Sequence, residues 1–457
     1  MRIIICGAGR VGFSIAQRLT REDNDIVIID RSETLIRDVT ETMDARGVVG
    51  HAAHPDTLSR AGAAEADMII AVTFHDEVNM VACQVAHSLF SVPMKIARVR
   101  ARDYLRTEWR DLFSRSNMPI DVIISPELEV GEAALRRVRY PGAIDMAPFV
   151  EGRVHLVGVR LERDCPLINT PLNQLSELFP DLKAIVVAIH RSGKLFRPDP
   201  ADQLAIGDNV YFVADTEQIS RTLNLFGHAE DQARRFVIMG GGNIGLYVAQ
   251  ELERSPSLKV RLIEHKKERA ELAAAQLKRT IVLHGDAMDR EILREAKASE
   301  AEFALGLTNS DHVNLLAGVL AREEGALRTL ALVNDRDLMT VAGPIGVDAL
   351  IDPRAATVST ILRHVRRGRI KGVYSLLDGQ AEILDAIALE TSPLVGRPLS
   401  EVNLPDGVII GAIVAKGEVS RPTGHSVINP GDRVVIFALR DYVKTVEQMF
   451  RVSLEYF

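Results

Sequence analysis

Apolar residues at positions 3–6 run into a glycine-rich turn, IIICGAGRVG, and then recur at Val11, Ile15 and Leu19, the four-residue spacing of a buried helix face. This pattern predicts a strand, a tight turn and a helix. The second half repeats it. Residues 236–239 lead into VIMGGGNIG, and Ile244, Val248 and Leu252 follow at the same helical spacing, so that Gly7, Gly9 and Gly12 correspond to Gly240, Gly242 and Gly245 at an offset of 233. Further β-branched runs at 26–29, 68–72, 260–263 and 303–307 alternate with helical-period segments, which predicts two βαβ-built, doubly wound parallel sheets of Rossmann type.

The remainder of each half reads differently. CPLINTPL at 165–172 matches SPLVGRPL at 392–399, and both copies place a Gly-Asp pair, 207–208 and 431–432, before a short apolar run. Turn residues between short apolar runs predict a small α+β module in each half. The expected organisation is a nucleotide-binding domain at 1–140, a module at 141–228, a polar linker at 229–235, a second nucleotide-binding domain at 236–370 and a second module at 371–457. The chain is two copies of one unit.

Composition narrows the function. With 457 residues, 47% of them hydrophobic, the chain can bury several cores, and its net charge of −7 comes without the basic block that nucleic-acid binding needs. Nucleic acid is therefore not expected as a partner. Three scattered cysteines, Cys6, Cys83 and Cys165, fit a reducing cytoplasm and offer neither disulfide nor zinc spacing. His51 and His54 sit three apart near Asp56, but lack further ligands, so no metal site is expected. No run approaches the ~20 apolar residues of a membrane span, and the start MRIII breaks at Gly7 without a cleavage site, so a cytoplasmic protein is expected.

The glycine turns carry the candidate chemistry. In a dinucleotide-binding unit the first glycine makes the turn, the second admits the pyrophosphate, and the third lets helix and strand pack, while the helix N-terminus favours the anion. In both copies an acid ends the next apolar run: Asp30, 18 residues beyond Gly12, and Glu264, 19 beyond Gly245. Such an acid suits a ribose diol and repels a 2′-phosphate, which favours NAD(H) or an adenine nucleotide over NADP; the alternative is a turn followed by a solvent-facing acid. Asn79 and Asn314 fall where a helix starts near the sheet crevice, as ligand contacts or as capping residues. Arg98 and Arg100 end a later strand, facing either phosphates or solvent. A dehydrogenase would need an acid or base beside the nicotinamide, and the duplicated modules supply no His-acid pair or nucleophile in motif context, so no enzymatic activity is expected.

With the paired glycine turns, TFHDEVNM at 73–80, TNSDHVNL at 308–315 and the two modules, nearly the whole chain resembles the TrkA family, peripheral subunits of Trk potassium-uptake systems built from tandem RCK (KTN) domains. The resemblance implies that NAD(H), ATP and ADP are bound, with Gly7, Gly9, Arg10 and Val11 lining the first phosphate turn, Asp30 holding the ribose, Thr73 bordering the nicotinamide side and Arg98 reaching phosphate. In the second copy Gly242, Asn243, Ile244, Glu264 and Asp286 take the corresponding places. It also implies a ring, a homotetramer, held against the cytoplasmic face of the inner membrane by a TrkH- or TrkG-like potassium translocation subunit that the nucleotides gate. One departure stands out: Gly285-Asp286 keeps the family's acid toward the adenine, whereas the first copy has Gly50-His51. The other readings are an NAD-dependent oxidoreductase and a redox-sensing adaptor of another transporter.

Overall fold

The computed structural model describes residues 1–22, 24–228, 233–365 and 370–450. The run Ile3–Ile5 is fully buried because its strand, Arg2–Cys6, lies at the centre of a parallel sheet with helices on both faces. The strand order is Arg46–Val49, Asp25–Asp30, Arg2–Cys6, Met68–Ala71, Met94–Arg98, Val122–Ile124, with Ile3 opposite both Ile26 and Met68. The second half builds the same sheet: Ile281–His284, Lys259–Glu264, Arg235–Met239, Phe303–Gly306, Thr329–Leu332, Ala349–Ile351. The strand order therefore reverses beside Arg2–Cys6 and beside Arg235–Met239, and ligands of such folds bind in the crevice at the strand ends there. Both doubly wound sheets are those that the alternation predicts.

The last helix of each Rossmann unit crosses to the other. Pro126–Arg139 follows the first sheet, yet its Val130, Ala134 and Val138 are buried with Phe236, Ile238, Val248 and Leu252 of the second. Pro353–Val365 follows the second sheet and buries Ile361 and Val365 against Ile3, Ile5, Ile15 and Leu19 of the first. The crossing is tight. A Cβ at Gly131 would lie 2.4 Å from the ring of Tyr247.

Each module is a five-stranded antiparallel sheet, in the order Lys194–Phe196, Ala184–Arg191, Asn209–Asp215, Val154–Arg160, Ala143–Phe149, and Ile370–Leu376, Ala381–Ile387, Arg433–Leu439, Val408–Ala415, Glu418–Ser420. The two sheets share a core in which Phe149, Leu156 and Val213 meet Leu376, Ile383 and Phe437. Buried polar ties cross it: Tyr374 Oη donates to Asp145 (2.6 Å), and the Val150 amide donates to Asp385 (3.0 Å). Residues 229–232 of the expected linker lie outside the described residues, while Ala233 is buried in the second Rossmann core and Arg235 opens its first strand.

Candidate functional site

The three glycines of each turn do different work. Gly7 has φ +108°, and a Cβ there would lie 3.1 Å from the Thr73 backbone; a Cβ on Gly12 would lie 1.8 Å from the Gly7 carbonyl oxygen. Those two glycines are demanded by the fold. Gly9 is not. Its φ of −65° suits any residue and a Cβ would meet nothing within 4 Å, and Gly242, φ −72°, is equally free. Each opens a helix, Arg10–Thr20 or Asn243–Glu253, that no side chain caps, so the leading backbone amides face the crevice beside open space. A glycine that the protein's own packing does not require, beside uncapped amides, leaves room for the close approach of an anion.

The acids are fixed from behind. Asp30 accepts from the Ala8 amide (2.7 Å) and the Ser32 amide (2.9 Å); Glu264, 3% exposed, accepts from the Gly241 amide (2.7 Å) and the Lys266 amide (2.9 Å), with His265 Nδ1 3.1 Å away. Each carboxylate keeps acceptor capacity for a diol. The longer glutamate is matched by a smaller neighbour: where the first copy has Ala8 the second has Gly241, whose added Cβ would lie 3.1 Å from the Glu264 Cβ.

In the first copy these groups line a cleft of about 430 Å³ that brings together Gly7, Gly9, Arg10, Val11, Asp30, Thr73 and Arg98, with His51. The Arg98 guanidinium has no hydrogen bond or ion pair among the described residues, and its Nε is buried without a partner. Burial first, then the nearby Arg100, lowers its pKa. At the expected adenine end, the His51 ring stacks on His54 at 4.5 Å and its Nδ1 accepts from the Ala53 amide (3.3 Å). Burial, then His54, then Arg31 lower its pKa, which favours the neutral ring.

Asn79 is not in the lining. It is fully buried, accepts from the Thr73 amide (2.8 Å) and hydroxyl (2.7 Å), and donates to the carbonyls of Thr73 (3.2 Å) and Arg98 (2.9 Å). Asn314 repeats every bond with Thr308 and Leu332, which identifies Leu332 as the counterpart of Arg98. Both asparagines position the crevice loops. In the second copy Gly240, Gly242 and Gly245 recreate the turn, Asn243 and Ile244 open the helix, and Asp286 is exposed at the end of the third strand, accepting from the Met288 amide (2.9 Å).

Sequence reading named Arg100 but missed Arg31, Phe74 and the holding role of Asp76. Arg31 and the 71%-exposed Phe74 also line the first cleft, and Arg100 lies over the Phe74 ring at 4.9 Å while pairing with Glu127 (2.9 Å) in the first turn of the crossing helix. Asp76 holds the loop after Arg98 by accepting from the amides of Arg100 and Ala101 (both 2.8 Å). The repeated Asp-x-x-Asn at 76–79 and 311–314 was the available signal; no periodicity marks the others.

The TrkA-N domain matches residues 3–126 and 236–353, and the TrkA-C domain matches 156–227 and 386–451. The Trk system potassium uptake protein TrkA of Azorhizobium caulinodans is 55% identical over 100% of both chains, and that of Halomonas elongata 39% identical over 100% of both. Among solved structures, the GsuK channel bound to NAD is 17% identical, with a TM-score of 0.60 over 98% of this chain and 78% of that one, a likeness of fold.

Proposed function

This chain belongs to the TrkA family of Trk-system potassium uptake proteins, and from that premise we propose that it is a nucleotide-binding regulatory subunit that gates a TrkH- or TrkG-like potassium translocation subunit, without enzymatic activity of its own. The observation that carries the reading is the first cleft, where the uncontacted Gly9, the fixed acid Asp30 and Arg98, unpartnered among the described residues, meet around one space. This donor set fits a nucleotide: helix amides and Arg98 for phosphates, Asp30 for a ribose diol.

NAD(H), ATP and ADP are the proposed ligands, and the proposed assembly is a homotetrameric ring on the cytoplasmic face of the membrane, attached through its pore partner. No described helix is long and apolar enough to cross a membrane. In the first copy the proposed contacts are Gly7, Gly9, Arg10, Val11, Asp30, Thr73 and Arg98, with Gly12 holding the turn closed and Asn79 acting through Thr73 and Arg98. In the second they are Gly240, Gly242, Asn243, Ile244, Gly245, Glu264 and Asp286. The nucleotide regulates only if it binds two arrangements of the chain with different affinity. The crossing helices supply a route, because Arg100 ties the loop that follows Arg98 to Glu127, and the helix beginning there packs on the helix that Gly242 opens.

Calorimetric titration of the full chain with NADH, NAD, ATP, ADP and NADPH tests this, with two nucleotides bound per chain as the expected result. NADPH should bind less tightly than NADH, because Asp30, pinned by two amides, cannot turn away from a 2′-phosphate; equal affinities would remove the ribose role of Asp30. Steady NADH oxidation with 2-oxo acids would favour the oxidoreductase reading instead.

A further inference from the structure

A second cavity, also about 430 Å³, is lined mostly by the first module and partly by the second, away from the glycine turns. Its walls are apolar: Leu175, Phe179, Leu182, Phe212, Leu225 and Phe226 line it, with the Phe212 and Phe226 rings stacked at 5.3 Å. Its mouth is cationic. Arg197 of the first module and Arg421 of the second both line it, and they are the same position of the duplicated unit, each followed by proline. Two other arginines of these sheets are paired with carboxylates: Arg191 with Asp208 (2.7 Å), and Arg433 with Asp385 and with Glu151 (3.0 Å). Arg197 has only the Asp406 carbonyl (2.9 Å), with its Nε buried and unpartnered, and Arg421 has no hydrogen bond or ion pair among the described residues. With the exposed Asp199, the charged lining residues leave one positive charge in excess, which matches one anionic group.

The cavity also marks a difference between the copies. The stretch 171–189 is three residues longer than its counterpart 398–413, and the extra length forms the helix Leu172–Leu178 and the following turn, which carry Leu175, Phe179 and Leu182 to the wall. In the second module a single turn, Leu399–Glu401, takes that place, and Leu399, Val402 and Leu404 pack directly on the core.

We propose that this cavity binds a medium-chain fatty carboxylate, its chain among the phenylalanine and leucine side chains and its carboxylate between Arg197 and Arg421. A cavity of this size and lining holds a ligand with one polar end, here a chain of roughly eight to twelve carbons. The bound carboxylate bridges the two modules, because Arg421 and Ile409 come from the second.

Isothermal titration of the full chain with decanoate, decylammonium and ATP tests the assignment. Decanoate saturates one site per chain, decylammonium does not bind there, and ATP does not displace decanoate. Arg421→Gln, on a half-exposed loop, weakens decanoate about tenfold or more, the loss of one charged hydrogen bond, while NADH affinity and melting temperature stay at the parent values; Arg197→Gln acts in the same direction. Equal binding of decanoate and decylammonium, displacement by ATP, absence of saturation, or decanoate affinity unchanged in both arginine variants would each overturn the proposal. The comparison of ligand charge needs no variant, so it decides even if a substituted chain folds poorly.

Discussion

The side-chain amide of Asn79 donates to the carbonyl oxygen of Arg98 at 2.9 Å, and Asn314 makes the same bond at the same length to Leu332. One buried amide thus ties the loop after the fourth strand of the chain order to the end of the fifth in each copy, whether that strand ends in arginine or in leucine.

Asn79→Ala leaves the Thr73 amide and the Arg98 carbonyl without their partner. The expected loss is about 1–3 kcal/mol, seen as a lower melting temperature, with nucleotide affinity falling because Arg98 loses its seat. A variant that melts with the parent would show that the bond network is dispensable.

Gly9→Ala and Gly12→Ala separate ligand space from fold. Alanine at position 9 has an allowed φ and no neighbour within 4 Å, so stability should stay within about 0.5 kcal/mol of the parent while nucleotide affinity drops. Alanine at position 12 drives a methyl group into the Gly7 carbonyl, 1.8 Å away, and should cost more than about 3 kcal/mol. Full nucleotide affinity in a folded Gly9→Ala protein would count against the phosphate role of the turn.

Arg98→Leu copies the second site's residue into the first. ATP affinity at the first site should fall roughly tenfold to a hundredfold, as for the loss of a charged hydrogen bond, and NADH affinity less. Stability should not fall, since among the described residues the guanidinium has no hydrogen bond or ion pair to lose. Titration and thermal melting on one preparation check both halves, and unchanged ATP binding would move the sensor elsewhere.

His155 predicts an acid limb in the stability profile. It is buried, its Nδ1 lies 2.9 Å from the Thr216 hydroxyl, and burial followed by Arg136 and Arg139 lowers its pKa from 6.5 to about 4. Between those values the unfolded chain binds a proton that the folded chain refuses, so this stability is present above pH 6.5 and is lost as the pH falls toward 4. Denaturant unfolding across that range should show a shallower slope for His155→Gln than for the parent; identical slopes would remove His155 from the account.

Local rules were enough for much of this molecule. Strand, turn and helix followed from the spacing of Ile3–Cys6, Gly7 and Val11, Ile15 and Leu19, the duplication from matching offsets, and the acid at Asp30 or Glu264 from its place at a strand end, because these features act over one or two neighbouring elements. Partner choice was not legible. The periodicity of Pro126–Arg139 shows that Val130, Ala134 and Val138 seek burial, yet any apolar surface satisfies that demand, and the packed molecule presents the second sheet's helix instead of the first sheet. The same holds for charge. Arg98, Arg197, Arg191 and Arg433 look alike in a string of letters; which of them meets a carboxylate depends on residues brought close by folding, and the two that meet none among the described residues line the two cavities described above.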